Sequence, residues 1–278
     1  LEGFEEDLAI YQDSLRIDLS RHAVRVGDEI SEERYPWDDL RDEAVDALSG
    51  WGAKRFEQGT FSHLCGWTPA NLQHPTRRGH NTVTPPSTAR HMRPNSLTTD
   101  QAVAGDATAK FSLTMVESAK ARMFIEDGAA YPIEPPNNRK HVCFLHPWQL
   151  ADLREDEKWE AIQLAALTRQ GSNPIYDYAA GEYNNTIFVP SQYVTEGVSS
   201  ADGTTVANTR RAVICGASAL SIAWGRQYGG GAWKWTEDAR DYGDKRFVSA
   251  RLIWGVKKNV FNSVDYGSIV VTTYALPR

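Results

Sequence analysis

The stretch that most constrains this chain opens at Ser31 with SEERYPWDDLRDEAVDALSGW and runs to about Leu64, the longest segment with one consistent helical period. Trp37, Leu40, Ala44, Leu48 and Trp51 recur at spacings of three or four, and Val45 widens the same stripe. That spacing lays one apolar face along a rod and predicts an amphipathic helix with its greasy side on a core. Asp38, Asp39, Arg41, Asp42, Glu43 and Asp46 fall mostly on the opposite side. Pro36 suits the first helical turn, where its missing N–H costs nothing, and the acids after it favour the positive end of the helix dipole. A helix from Pro36 to Leu64 would be about 40 Å long at the usual rise, enough to span a whole domain. Gly50, Gly52 and Gly59 each weaken it by roughly 1 kcal/mol relative to Ala, so a bend or break is expected in its second half.

What flanks the rod decides what packs on it. Residues 8–26 alternate, with Leu15, Ile17 and Leu19 against Arg16, Asp18 and Ser20, which predicts a strand with one covered face; Gly27 and Asp28 mark the turn that follows. Between residues 65 and 95 the chain holds Pro69, Pro75, Pro85, Pro86 and Pro94, so no regular element is expected there. Such long loops tend to be functional or interfacial. This one is expected to gain order by lying on something, with Arg77, Arg78, Arg90 and Arg93 available to acids of a neighbouring copy.

The middle of the chain mixes element types. A helix is expected over residues 109–127, its stripe framed by Phe111, Met115, Ala119, Arg122 and Phe124 and its end marked by Gly128. A strand follows from His141 to Leu145, then a helical segment opened by Pro147, then a helix with Trp159, Ile162, Ala166 and Leu167 inward and Gly171 as its C-cap. Thr186 to Pro190 and Arg211 to Cys215 read as strands, and residues 217–224 as a short buried helix. The final third is strand-like: AWKWTED, then FVSARLIWGVKKNVF with Val248, Ala250, Leu252, Trp254 and Val256 on one side, then DYGSIVVTTYAL. These last strands are expected to return beside residues 8–26 and pack on the long helix. The fold class is therefore α+β, one domain built from both chain ends with a second inserted between them.

Bulk numbers and motifs point away from catalysis. The 278 residues are 41% hydrophobic, as befits a folded protein, and 30 Lys and Arg against 36 Asp and Glu give a net charge of -6. A nucleic-acid reader needs a surplus of cations, although a mildly acidic protein can enclose DNA without sticking to it. The three cysteines, Cys65, Cys143 and Cys215, cannot all pair, and two sit in apolar runs as small buried hydrophobes, which fits a reducing cytoplasm. No apolar stretch is long enough for a membrane span, and no signal-peptide pattern opens the chain. The sequence begins with Leu1, so the true N-terminus is expected upstream. His63, Cys65, His74, His80 and His91 cluster without any zinc spacing. For His146, ahead of Pro147, an imidazole bonded to backbone is a better reading than a catalytic one.

The glycine-rich run GRQYGGGAWKW lacks the ending a phosphate loop needs and reads as a hinge or turn. Glu237 and Asp238 imitate a glycosidase dyad, with nine Trp to stack on sugars, but strand neighbours point to opposite faces and cannot flank one bond. The Asp-Tyr-Gly tripeptides at Asp241 and Asp265 are turns. With no nucleophile motif either, no catalytic, cofactor-binding or metal-binding residue is assigned. The sequence offers binding surfaces instead of an active site.

Six blocks carry a resemblance: LEGFEEDLAIYQDSLRIDLSRHAVR, SEERYPWDDLRDEA, FLHPWQLADLR, NPIYDYAAGEYNNTIFV, RRAVICGASALSIAWG and WTEDARDYGDKRFVSARLIWGVKKNVFNSVDYGSIVV. Together and in this order they resemble the major capsid proteins of phages of the N-four type, a branch of tailed-phage shell proteins with the Hong Kong 97-like fold. The resemblance implies a peripheral domain, with a long spine helix packed on an antiparallel β-sheet, and an inserted mixed α/β axial domain. Mapped here, residues 1–64 and 232–278 are peripheral, 65–95 an extended Pro-rich loop and 96–231 axial. It further implies a non-enzymatic virion subunit that self-assembles into pentamers and hexamers of an icosahedral shell. Such a shell is assembled in the host cytoplasm around double-stranded DNA, alongside portal, scaffold or decoration proteins and no membrane. Two departures stand out: the preceding N-terminal arm and part of an extended loop are absent, and the Pro-rich stretch is long for the family. The alternatives are an encapsulin-like compartment shell, which shares the fold, and a carbohydrate-active enzyme, which the Trp and acid content suggests.

Overall fold

Two large sheets divide the chain in this computed structural model, which describes residues 12–27, 34, 40–70, 79–125, 131–136, 140–161, 181–226, 233–242 and 245–278. In chain order the elements are β1 (Asp18–Gly27), α1 (Leu40–Leu64), β2 (His91–Met92), α2 (Asp100–Gly105), α3 (Leu113–Phe124), β3 (His141–Leu145) and α4 (Pro147–Arg154). There follow β4 (Gly181–Tyr183), β5 (Thr186–Pro190), β6 (Gly197–Val198), β7 (Thr205–Val206), β8 (Thr209–Cys215), β9 (Leu220–Trp224) and β10 (Lys234–Arg240). The chain closes with β11 (Lys245–Lys258), β12 (Val260–Phe261), β13 (Val264–Asp265) and β14 (Ser268–Tyr274).

The first sheet is built on β11. Strand β1 runs antiparallel to it from Asp18 opposite Trp254 to Gly27 opposite Arg246, so residues from both ends of the chain lie side by side as expected. The covered face is corrected: Ser20 and Val26 are the buried positions, Ile17 is 41% exposed, Leu15 and Leu19 are only half-buried, and residues 12–17 form no strand. The other side of β11 carries β10 along its first half and β9 along its second. Val248, Ala250, Leu252, Trp254 and Val256 are all buried and turn the same way, toward α1. Val248 and Ala250 pack with Val26, Ala44 and Leu48, while Leu252, Trp254 and Val256 pack with Phe56, Leu220 and Trp233.

Helix α1 differs from expectation in one respect: its 25 residues run unbroken through Gly50, Gly52 and Gly59. Two of these glycines are buried contact points. A Cβ on Gly52 would stand 2.9 Å from the Trp233 ring, and one on Gly59 would stand 2.7 Å from that of Trp254. Packing of the buried Trp254 indole and the partly buried Trp233 indole on the helix offsets the entropy that glycine loses there. Ala44 and Leu48 are buried, with Leu40, Val45 and Trp51 half-buried and Arg41, Asp42, Glu43 and Asp46 exposed, as the stripe requires. Pro36, Trp37, Asp38 and Asp39 lie outside the described residues.

The second sheet has the order β2-β14-β8-β3-β5-β4. Its core joins Cys143, Leu145, Phe188, Ala212, Ile214, Ile269 and Val271 to Leu113, Val116, Ala119 and Met123 of α3. Three expectations are corrected here. The buried face of α3 is Leu113, Val116, Ala119, Lys120 and Met123, whereas Phe124 is 60% exposed and Met115 only half-buried. The helix begins two residues after Phe111, so a stripe counted from Phe111 has the wrong phase.

Leu220–Trp224 is a strand, not a helix, because a short apolar run has no decisive period and the open side of β11 supplies its partner. Finally, β14 pairs with β8 and β2, not with β1. Its residues from Ser268 to Thr273 are buried without alternation, the pattern of a central strand covered on both faces. Strand pairing thus crosses the expected boundary at residues 231 and 232 in both directions. Among the later expectations, Trp159 is buried, while Ile162, Ala166, Leu167 and residues 227–232 of the glycine-rich run lie outside the described residues.

The Pro-rich excursion does lie on something, namely its own chain. Asn81 donates from Nδ2 to the carbonyls of Arg16 (2.9 Å) and Val256 (3.0 Å) and accepts the Arg16 N–H, so it staples β11 to the segment entering β1. His91–Met92 adds a short parallel strand to β14. Among the described residues no helix is long and apolar enough to cross a membrane.

Candidate assembly surfaces

Three buried polar joints hold the described interior together. Asp100 opens α2 and is fully buried; its Oδ1 accepts from Arg93 Nε (2.8 Å) and its Oδ2 from Arg211 Nη2 (2.7 Å) and the Val198 N–H (3.0 Å). Arg211 on β8 also donates to the carbonyls of Cys65 and Gly66 at the end of α1. One buried guanidinium therefore ties the rod to the six-stranded sheet. Burial pushes the Asp100 carboxyl up, but Arg211 and Arg93 pull harder and hold it below the usual carboxylate range. His91 completes the cluster: Nδ1 accepts from Arg93 and Nε2 meets the Thr272 hydroxyl at 2.7 Å, and burial, with help from the two arginines, lowers it to about 3.

A second joint is the buried pair of Lys258 and Asp265 (2.9 Å), which locks the end of β11 to β13. A third is Trp254, whose indole N–H donates to the Ser20 hydroxyl (2.9 Å), itself 2.8 Å from His80 Nε2. Sequence reasoning missed these joints. The available signal was an arginine in the apolar strand RAVIC and a lysine ending the alternation of β11, since such residues are rarely buried unless paired.

The residues singled out for chemistry find structural employment. His146 caps α4: its Nδ1 accepts the Trp148 N–H (3.2 Å) while Gln149 reaches back to the His146 N–H, and burial, aided by Arg210, lowers the imidazole to about 4. Glu237 accepts from Arg41 on α1, whereas Asp238 pairs with exposed Arg240, so the two acids do serve opposite faces. The turn reading is corrected at Asp265, which ends strand β13 as the buried partner of Lys258, whereas Asp241 does lie in a turn and pairs with Lys245. Arg90 and Arg93, expected to reach a neighbouring copy, are turned inward: Arg90 donates to the Arg122 carbonyl (3.0 Å) and the Tyr131 carbonyl, and Arg93 binds Asp100. Arg77 and Arg78 lie outside the described residues. Burial raises the thiols of Cys65, Cys143 and Cys215, all of them free.

What remains exposed is surface for other molecules. Tyr242 projects fully into solvent from the turn after β10. A groove of about 700 Å³ opens beyond the far end of β11, lined by Tyr131, Phe261, Tyr266, Asn262, Lys257 and Gln12 among others. A tile with a rigid two-sheet interior and aromatic edges is suited to contact with copies of itself. The deciding observation is a family match: the model of the family described as phage capsid protein fits residues 1–276.

The chain belongs to the phage capsid protein family. It is similar to the capsid of Ralstonia phage GP4, with 26% identity over 99% of this chain and 78% of that one and a TM-score of 0.80. The capsid of cyanophage Pam1 is similar at 16% identity, covering 99% and 82%, with a TM-score of 0.67. The head of Helicobacter pylori bacteriophage KHP40 follows at 16%, covering 94% and 76%, with a TM-score of 0.63. No curated protein matches the chain. This capsid protein has the Hong Kong 97-like fold and serves as a major capsid protein, a subunit of the multimeric shell of a tailed phage virion.

Proposed function

We propose that this capsid protein works without catalysis, closing into pentamers and hexamers of an icosahedral shell around double-stranded DNA. Assembly takes place in the host cytoplasm, with portal, scaffold or decoration proteins as further partners. The observation that carries this reading is the likeness to a phage capsid along 99% of the chain. A compartment shell shares the fold, but the phage family match favours the virion. On this reading α1 with β1, β9, β10 and β11 forms the peripheral domain, and the six-stranded sheet with α2, α3 and α4 forms the axial one. Heterologous contacts between identical tiles close into rings, and each added contact then acts within an existing particle, which multiplies modest interfaces.

Electron microscopy of the purified protein tests the reading. Uniform icosahedral particles with five- and six-fold capsomers are expected; a monodisperse monomer at every concentration, or turnover of a glycan, would remove it.

A further inference from the structure

Among the exposed aromatic side chains of the described residues Tyr242 stands furthest into solvent, and it and the aromatic groove sit at opposite ends of one strand. Tyr242 follows Asp241 at the tip of the β10–β11 hairpin, and both take the left-handed conformation, with φ of 58° and 57°. A bulky residue rarely adopts that conformation, and Gly or Asn is the usual occupant of such a turn. Here the side chain stands clear of its own chain, and the turn that presents it is braced by the Asp241–Lys245 pair.

The groove lies where β11 ends. Tyr131 and Tyr266 line it while 50% and 45% exposed, Tyr131 meets Phe261 edge-on at 5.6 Å, and Asn262 supplies an amide in the β12–β13 turn. Arg90, buried, holds the Tyr131 backbone in place through its carbonyl. The groove is thus preformed, aromatic and amide-lined, which is the environment a tyrosine side chain fills well, ring against ring and hydroxyl against amide. Along the 14 residues of β11 the knob and the hole are about 43 Å apart, so one chain cannot join them. Successive copies placed head to tail can.

We propose that Tyr242 of one copy docks in the Tyr131–Phe261–Tyr266 groove of the next copy in the shell. The contact is heterologous, the class that closes into rings or extends across a lattice, and Tyr is a residue type over-represented among interface hot spots. The inference rests on the shell reading above.

Cross-linking within assembled particles tests it. The chain carrying both Tyr242→Cys and Asn262→Cys, mildly oxidised after assembly, should give a ladder of covalent multimers. Chains with either cysteine alone, or with Tyr242→Cys and Phe124→Cys, should not. In parallel, Tyr242→Ser should raise the protein concentration at half-assembly about tenfold or more, the effect of losing one hot spot, while the thermal midpoint of the unassembled chain stays put. Particles that form normally from Tyr242→Ser, or a double-cysteine chain no more cross-linked than the single ones, would overturn the docking and leave the shell reading intact. Failure of the wild-type chain to form any particle would instead defeat the shell reading and the docking with it.

Discussion

Gly59 on α1 lies so close under the Trp254 indole of β11 that a methyl group at Gly59 would stand 2.7 Å from ring atom Cη2. Gly50, two turns and more away on the same helix, has nothing within 4 Å of where its Cβ would go. The same residue type therefore has opposite meanings on one rod. Gly59→Ala should destabilise the unassembled protein by about 1–3 kcal/mol through overpacking. Gly50→Ala should stabilise it by about 0.5–1 kcal/mol through helix propensity and a stiffer unfolded chain. Urea unfolding reads both, and shifts of the same sign would show that the indole does not sit on the helix as described.

The Asp100–Arg211 pair should behave as a unit. Asp100→Asn preserves shape but leaves two arginine side chains facing a neutral group in a buried site, at a cost of about 3–5 kcal/mol. Adding Arg211→Met to that variant should recover part of the loss, so that the double change costs less than the sum of the single ones. Denaturant unfolding of all three variants measures the coupling, and strictly additive losses would mean the cluster is not a joint.

Acid should weaken the protein through histidines that are kept neutral. His91 and His146 are depressed to about 3 and about 4 by burial, helped by neighbouring arginines. In the unfolded chain they titrate near the ordinary value of about 6.5. As pH falls below that value the unfolded state takes up protons first, so stability is full above it and declines toward the folded values. His91→Gln, which can still bond Thr272, should flatten the slope between pH 5 and 6 by roughly 1.4 kcal/mol per pH unit at most. An unchanged slope would show that His91 is already charged in the fold.

Thiol reagents should find little to react with. Cys65 and Cys143 are fully buried, Cys215 is half-buried, and burial disfavours the thiolate at each. Titration with a coloured disulfide should detect three thiols in denaturant and almost none within minutes in the native protein. Prompt native labelling of Cys65 would contradict its place between α1 and the six-stranded sheet.

Much of this architecture was legible because period is a local property. A 3.6-residue stripe and a two-residue alternation specify which face of α1 and of β11 is apolar, whatever they meet, and the order of six blocks marked the family. The decisions the sequence left open all concern partners. Whether Gly59 breaks a helix depends on Trp254, nearly two hundred residues later; whether Leu220–Trp224 becomes strand depends on the open side of β11. The phase of α3, the burial of Arg90 and Arg93, and the place of β14 beside β8 were likewise set by shape and charge across the fold. Local pattern selects a surface, and only long-range packing, with its demand that every buried charge and ring find a counterpart, selects what that surface touches.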